Sequence, residues 1–247
     1  KTAFNRYQEF ASLEDESMSM KKQFGRLAQY LNCLPITTLS VDNVEADDIM
    51  AYIANELYTE KENRATIVST DRDFLQLVNN RISVWSPIKK KLYTPSLMKE
   101  EFGFSPENYL LYRTFIGDKS DNIPGIKGVG PKSLIKHFPI ICEDREITVD
   151  EIVEYADNVD KKYKVHETVL QNKETLQLNY DLMQLKEVNI HGGAKMLTLD
   201  KVKGKVDRTN TYEFKKMFMA DKMYTVIKDL DSWLHTSFNA LNAYTSL

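Results

Sequence analysis

Residues 115–139 run FIGDKSDNIPGIKGVGPKSLIKHFP, and the reading of this stretch decides how the rest of the chain is taken. Its first half sets Asp118 and Asp121 just after an apolar run, where both carboxylates can face one point and hold a divalent cation. Its second half, Gly125 to Lys132, reads as helix, tight glycine hairpin, helix. Glycine permits positive φ and close backbone approach, and Pro131 suits the first position of a helix. The free N–H groups of such a hairpin form a seat for phosphate, with Lys132 and Lys136 adding charge. A metal site beside a phosphate seat is what a nuclease needs.

The wording GDKSDNIPGIKGVGPKSLIKHF resembles the metal-plus-helix-hairpin-helix signature of the structure-specific 5′-nucleases, or flap endonucleases. That family includes the 5′-nuclease domains of bacterial polymerases and small phage-encoded exonucleases. The resemblance implies an α/β fold, with a mostly parallel central sheet flanked by helices, a helix-hairpin-helix and a helical C-terminal region. It implies a nuclease core over residues 1–116 and the hairpin and helical region over 117–247. The family's first metal-binding aspartates and its basic arch lie in an N-terminal region that has no counterpart here. The chain therefore reads as a member lacking that part.

Two further acidic clusters fit the same chemistry. Val44-Glu45-Ala46-Asp47-Asp48 opens a helix running to about Tyr58, with Ile49, Ile53 and Leu57 on its apolar face. One carboxylate suffices to cap a helix start, whereas three crowded together repel unless a cation offsets them. The run Ala65 to Ser69 reads as a buried strand of a parallel sheet, ending in Asp71-Arg72-Asp73. Period-two spacing puts Asp71 and Asp73 on one side, beyond the carboxyl edge where open α/β sheets bind ligands; an Asx-turn into the next helix is the alternative, and beside the other two clusters the metal reading prevails.

Seven carboxylates are thus the candidate catalytic and metal-holding residues: Glu45, Asp47, Asp48, Asp71, Asp73, Asp118 and Asp121. By resemblance, Glu45, Asp47 and Asp48 serve a first Mg²⁺ or Mn²⁺ ion, and Asp71, Asp73, Asp118 and Asp121 a second. Two such ions activate water and stabilise in-line displacement at phosphorus. The expected DNA-binding residues are Arg113, Gly125, Lys127, Gly128, Gly130, Lys132 and Lys136, with K⁺ at the hairpin as the family implies. Expected partners are 5′-flap, nicked or gapped duplex DNA, an RNA–DNA hybrid, and a replication protein such as a polymerase, clamp or single-strand-binding protein.

Composition bounds these readings. The chain has 247 residues, 42% hydrophobic and 28% charged, with net charge −3. A carboxylate cluster lowers net charge while basic patches elsewhere still hold phosphate. Cys33 and Cys142 lie far apart and suggest reduced thiols in a cytoplasmic protein, or one in host cytoplasm if phage-encoded. No apolar run is long enough for a membrane span and the start has no signal-peptide pattern.

Elsewhere the chain opens with the polar, basic Lys1 to Tyr7, not a buried strand. Met20, Phe24, Leu27, Ala28 and Leu31 predict a helix with a core-facing stripe, followed by a short strand over 36–40. Arg81 to Tyr93 reads as a hairpin with Lys89, Lys90 and Lys91 near its tip, free either to meet DNA or to be merely solvated. Pro95 and Pro106 open helices, the second carrying Leu110, Leu111, Thr114 and Phe115 inward. Thr148 and Glu151 predict a capping box, residues 160–185 one long helix, residues 190–210 a loop or weak hairpin, and Tyr212 to Leu241 one or two amphipathic helices.

Two other functions fit parts of the sequence. A strand ending in Asp-x-Asp with a later Gly-Asp-x-x-Asp is similar to haloacid-dehalogenase-type phosphatases. That reading leaves VEADD and the glycine hairpin without roles. The other alternative is a non-catalytic DNA-binding scaffold lacking the first metal ligands.

Overall fold

The computed structural model describes residues 10–245. The opening stretch Lys1 to Tyr7 therefore lies outside the described residues. By its contacts the chain forms two compact units, one of residues 41–195 and one of residues 1–40 with 196–247. The anticipated boundary after residue 116 falls inside the first of these.

In chain order, α1 (Leu13–Leu31) and α2 (Ala46–Tyr52, continued by a π-helical turn, Ile53–Leu57) precede β1 (Ala65–Val68). A 3₁₀ turn, Asp73–Leu77, leads to β2 (Ile82–Ser86) and β3 (Lys91–Tyr93). Then come α3 (Pro95–Phe102), α4 (Tyr109–Ile116), β4 (Gly117–Asp118), β5 (Ile123–Pro124) and α5 (Pro131–His137). The rest is helical: α6 (Val149–Asn158), α7 (Lys164–Gln171), α8 (Lys173–Met183), α9 (Gly192–Lys203), α10 (Thr211–Ala220) and α11 (Leu230–Asn242). The mixed α/β class is as expected, with a small sheet. No helix among the described residues is long and apolar enough to cross a membrane.

In the 41–195 unit, β1 pairs parallel with β2, and β2 antiparallel with β3. The hairpin closes as expected, and two of its three tip lysines are engaged on the surface: Lys89 and Lys91 both pair with Glu101. β1 departs from the buried strand expected of it. Only Ile67 is buried and Val68 is 64% exposed, because β1 is the edge of the described sheet and only one of its faces packs.

Beside the sheet, α4 runs through an apolar core. Leu111 and Phe115 pack with Leu134 and Phe138 after it, and with Ile152, Val169 and Leu176 from α6, α7 and α8. α6 begins with the expected capping box, Thr148 with Glu151. The single helix expected over 160–185 is two. At Asn172 the backbone leaves helical geometry (φ −115°, ψ 22°) and the side-chain amide donates to the Thr168 carbonyl at 2.7 Å, so the turn is closed by a side chain. Residues 192–203 form α9, not the expected loop. The glycine pair sits at its start, where the His191 ring nitrogen accepts from the Ala194 amide at 3.2 Å, and Lys201 and Lys203 sit at its negative end.

In the other unit, Tyr30 and Cys33 pack on Phe214, Phe218 and Leu234, and Arg26 grips Asp221 through two nitrogens at 2.7 and 2.9 Å. Tyr212 to Leu241 holds two helices, within the one or two expected, and Phe214, Phe218 and Leu234 are buried in this core while Val226 is exposed. The stripe of α1 is not: Met20, Phe24 and Leu27 are 50–63% exposed, because α1 meets this core only through its last turn. The strand expected over 36–40 is unpaired coil, since no strand lies beside it among the described residues. Both cysteines are free thiols, as expected.

Asn179, buried on α8, donates to the Thr114 carbonyl at the end of α4 and to the Pro124 carbonyl of β5, at 2.9 and 2.8 Å. Replacing it by leucine leaves two buried acceptors unpaired. Asn179→Leu should lower unfolding free energy by about 2–4 kcal/mol in urea denaturation, while the exposed Leu178→Ala should stay within about 0.5 kcal/mol.

Candidate metal centre

Every candidate carboxylate lies in the 41–195 unit. The 3₁₀ turn after β1 delivers Asp73, and the short hairpin after α4 delivers Asp118 and Asp121. Oxygens from these three carboxylates lie within 4.8 Å of one another. An all-oxygen donor set of this kind suits a hard divalent cation.

The hairpin is shaped by glycine. Gly117 takes φ +70°, and a Cβ there would collide with the backbone of Ile123, Pro124 and Gly125. A Cβ on Gly125 would in turn strike the Ile116 carbonyl. The two glycines let the chain fold back on the end of α4, with the Ile126 amide donating to the Phe115 carbonyl at 2.8 Å. Asp118 then leaves β4 facing the turn after β1.

Arg113 joins the two segments. It is 7% exposed, on the buried side of α4, and its guanidinium donates to Asp73 (Nε at 2.9 Å) and to Asp118. Expected to help hold a phosphate, it has its described donors on these carboxylates. The Ser120 hydroxyl and its amide, the latter at 2.7 Å, also donate to Asp118. Gln76, 4% exposed, anchors the other side: its amide nitrogen donates to the carbonyls of Asp73 and Met183, and its oxygen accepts from Leu185.

The first cluster is coupled to this one electrostatically. Glu45 is the N-cap of α2 but makes no side-chain capping bond, leaving its carboxylate uncommitted to the helix. Burial pushes the Asp47 carboxyl up, and the charges of Asp71, Glu45 and Asp121 push it further. Asp48 is raised by burial and by Asp47. Asp73 is raised mainly by burial, with Arg113 opposing and Asp71 and Asp118 reinforcing. Asp71 also makes the Asx-turn, its Oδ1 accepting from the Asp73 amide at 2.8 Å. Asp71 is not among the three carboxylates whose oxygens converge.

Of the expected phosphate-binding residues, Gly128 takes φ +85° in a turn closed by the Val129 amide on the Ile126 carbonyl at 3.1 Å. Gly130 precedes α5, and Lys127, Lys132 and Lys136 are exposed around it. Gly125 instead packs backbone against backbone. Sequence reasoning missed Ser120, Gln76 and Asn179. Each carries a signal in retrospect: Asp-x-Ser for a carboxylate held by the next turn, and a polar residue interrupting an apolar face for the other two.

Comparison with known proteins agrees with this geometry. Residues 4–103 match the family model "5′-3′ exonuclease, N-terminal resolvase-like domain", and residues 104–205 match "5′-3′ exonuclease, C-terminal SAM fold". The 5′-3′ exonuclease of Aquifex aeolicus is 29% identical over 225 residues, covering 86% of this chain and 68% of the relative. The thermostable DNA polymerase I of Thermus thermophilus is 32% identical over 166 residues, covering 67% of this chain and 19% of the polymerase. The phage T5 D15 protein co-crystallised with metal ions superposes with a TM-score of 0.55 at 22% identity, covering 86% of this chain and 73% of the other. The T5 D15 flap endonuclease in a pseudo-enzyme–product complex with DNA and metal ions gives 0.52 at 21%, covering 86% and 73%. These two show likeness of fold. A buried arginine binding two of three converging carboxylates, on this fold, marks an acidic centre able to hold a divalent cation. The chain belongs to the 5′-3′ exonuclease family.

The Asp118 carboxyl is held low, at about 2, first by the Ser120 hydroxyl and then by Arg113. An aspartate depressed on folding contributes stability above its unfolded pKa, and that contribution is lost as pH falls through the folded value. In metal-free protein, the stability difference between wild type and Ser120→Ala should therefore be constant above about pH 4.5 and shrink between about pH 4 and 2. Thermal unfolding against pH reads this, and a difference that is flat down to pH 2 contradicts it.

Proposed function

We propose that the chain is a metal-dependent, structure-specific 5′-nuclease. Its substrates would be 5′-flap DNA or the 5′ ends of DNA or RNA–DNA duplexes, as in replication and repair. The observation that carries this reading is the convergence of Asp73, Asp118 and Asp121 oxygens within 4.8 Å, beside Asp47 in the field of Glu45, Asp71 and Asp121. The name of the T5 D15 flap endonuclease and its DNA complex support the substrate class.

Mg²⁺ or Mn²⁺ bound by these carboxylates would supply an activated water and neutralise charge on the phosphate. Arg113 keeps Asp73 and Asp118 converged, and Gln76 holds the backbone of the Asp73 turn. Lys119 and Arg72 line the same cavity as Asp71 and Asp118, and offset the negative charge that an incoming phosphate would otherwise meet. The turn at Gly128 and the start of α5, with Lys127, Lys132 and Lys136, would grip the duplex backbone away from the cut. Such contacts position a duplex without reading its sequence. K⁺ in that turn belongs to the same proposal.

Incubation with a 5′-flap duplex and Mg²⁺ should give cleavage near the junction. Binding without cleavage at any Mg²⁺ or Mn²⁺ concentration would overturn the enzyme reading and leave a DNA-binding scaffold. Asp121→Asn should lower the rate by about a hundredfold or more while sparing binding. Lys132→Ala should weaken binding and reduce the slope of log affinity against log salt by about 1.

A further inference from the structure

A second cavity, of about 190 Å³, opens beside the carboxylate centre, against the sheet. Leu75, Val84, Ile88 and Tyr93 form its apolar wall. Thr70, Asp71 and Arg72 line both this cavity and the one of about 350 Å³ that contains Arg113, Asp118 and Ser120. One short turn thus separates an apolar chamber from a metal centre. Pockets that enclose drug-sized ligands measure roughly 300–1,000 Å³, so the chamber suits a single ring system.

The charges at its mouth are unequal. Lys89 is committed to the protein, its Nζ donating to the Tyr93 hydroxyl at 2.8 Å and pairing with Glu101 at 3.3 Å. Arg72 is exposed, and among the described residues it belongs to none of the ion pairs around the site, which join Arg113 to Asp73 and Asp118, and Lys89 and Lys91 to Glu101. A guanidinium with open donors between a carboxylate centre and an apolar chamber matches an anionic group joined to a flat apolar ring. A nucleotide has this form.

We propose that the chamber is a nucleotide subsite. It takes the base of a nucleotide whose phosphate lies at the carboxylate centre, and Arg72 donates to that phosphate. The lining sets Leu75, Val84, Ile88 and Tyr93 beside Ser69, Thr70 and Ser86, whose hydroxyls can rotate to donate or accept, so the subsite accepts any base. The proposal takes its substrate class from the nuclease reading, but its test needs no cleavage.

The full chain in Mg²⁺ is titrated with thymidine 5′-monophosphate, deoxyribose 5-phosphate and inorganic phosphate, with methyl resonances followed by NMR. Thymidine monophosphate should bind about tenfold more tightly than deoxyribose 5-phosphate and should shift the methyls of Leu75, Val84 and Ile88. Deoxyribose 5-phosphate and inorganic phosphate should leave those methyls in place. Arg72→Ala, a change at an exposed position, should weaken both sugar phosphates about tenfold. Equal affinity for the two sugar phosphates, no binding at all, or binding that leaves the three methyls unmoved overturns the subsite. A parallel flap-cleavage assay in Mg²⁺ separates the readings: methyl shifts without cleavage sink the nuclease alone, and cleavage without shifts sinks the subsite alone.

Discussion

Arg113 holds two carboxylates that the chain brings from different places, Asp73 from forty residues upstream and Asp118 from five residues downstream. Its side chain is 9% exposed, so the guanidinium has lost most of its water and needs both partners. Removing one partner of a buried ion pair costs about 3–5 kcal/mol, because a charge is left uncompensated. The interaction therefore constrains both segments. The turn after β1 and the hairpin after α4 are held at the separation at which their carboxylates converge, and the repulsion between those carboxylates is offset inside the site.

That ion pair orients side chains, but the backbone beneath them is placed by other means. Gly117 and Gly125 let the hairpin lie against the end of α4 at a distance no side chain permits. Asn179 on α8 closes the same junction, and Gln76 joins the end of α8 to the Asp73 turn. α8 thus braces both segments that carry the converging carboxylates while contributing none of them itself. Buried amides do this well, since each donor or acceptor they satisfy would otherwise be an unpaired polar group in the core.

The parts of this arrangement visible in sequence are those with a local signal. Asp118 and Asp121, with Gly117 before them and Gly125 after, announce a turn with carboxylates on it, and Pro131 announces the helix that follows. Thr148 with Glu151 marks a helix start that the structure contains. What escaped were consequences of pairing across the chain. The run ATIV has the composition of a strand buried on both faces, yet β1 is an edge strand, and burial depends on neighbours that composition does not encode. The α1 stripe predicted a core face by its spacing, but spacing does not say what will cover it. The break at Asn172 depends on one side-chain hydrogen bond, which periodicity averages away. Arg113 was noticed as a cation, but its burial among apolar neighbours on α4 is what makes it structural.

The same logic resolves the conflict between an acidic chain and a nucleic-acid substrate. Net charge is −3, and seven of the acidic residues are the candidate carboxylates, so the rest of the molecule is net positive. The fold keeps the two signs apart: the carboxylates gather beyond the end of β1 and at the hairpin after α4, while Lys127, Lys132 and Lys136 stand exposed around the glycine turn and α5. A cation bound by the carboxylates removes negative charge only where the phosphate must approach. The lysines need no such partner, and their attraction for a phosphate backbone acts whether or not the centre is loaded. Under the proposed function, affinity for a duplex and competence to cut it would therefore be carried by different charges, and substitutions in the two groups should separate binding from hydrolysis.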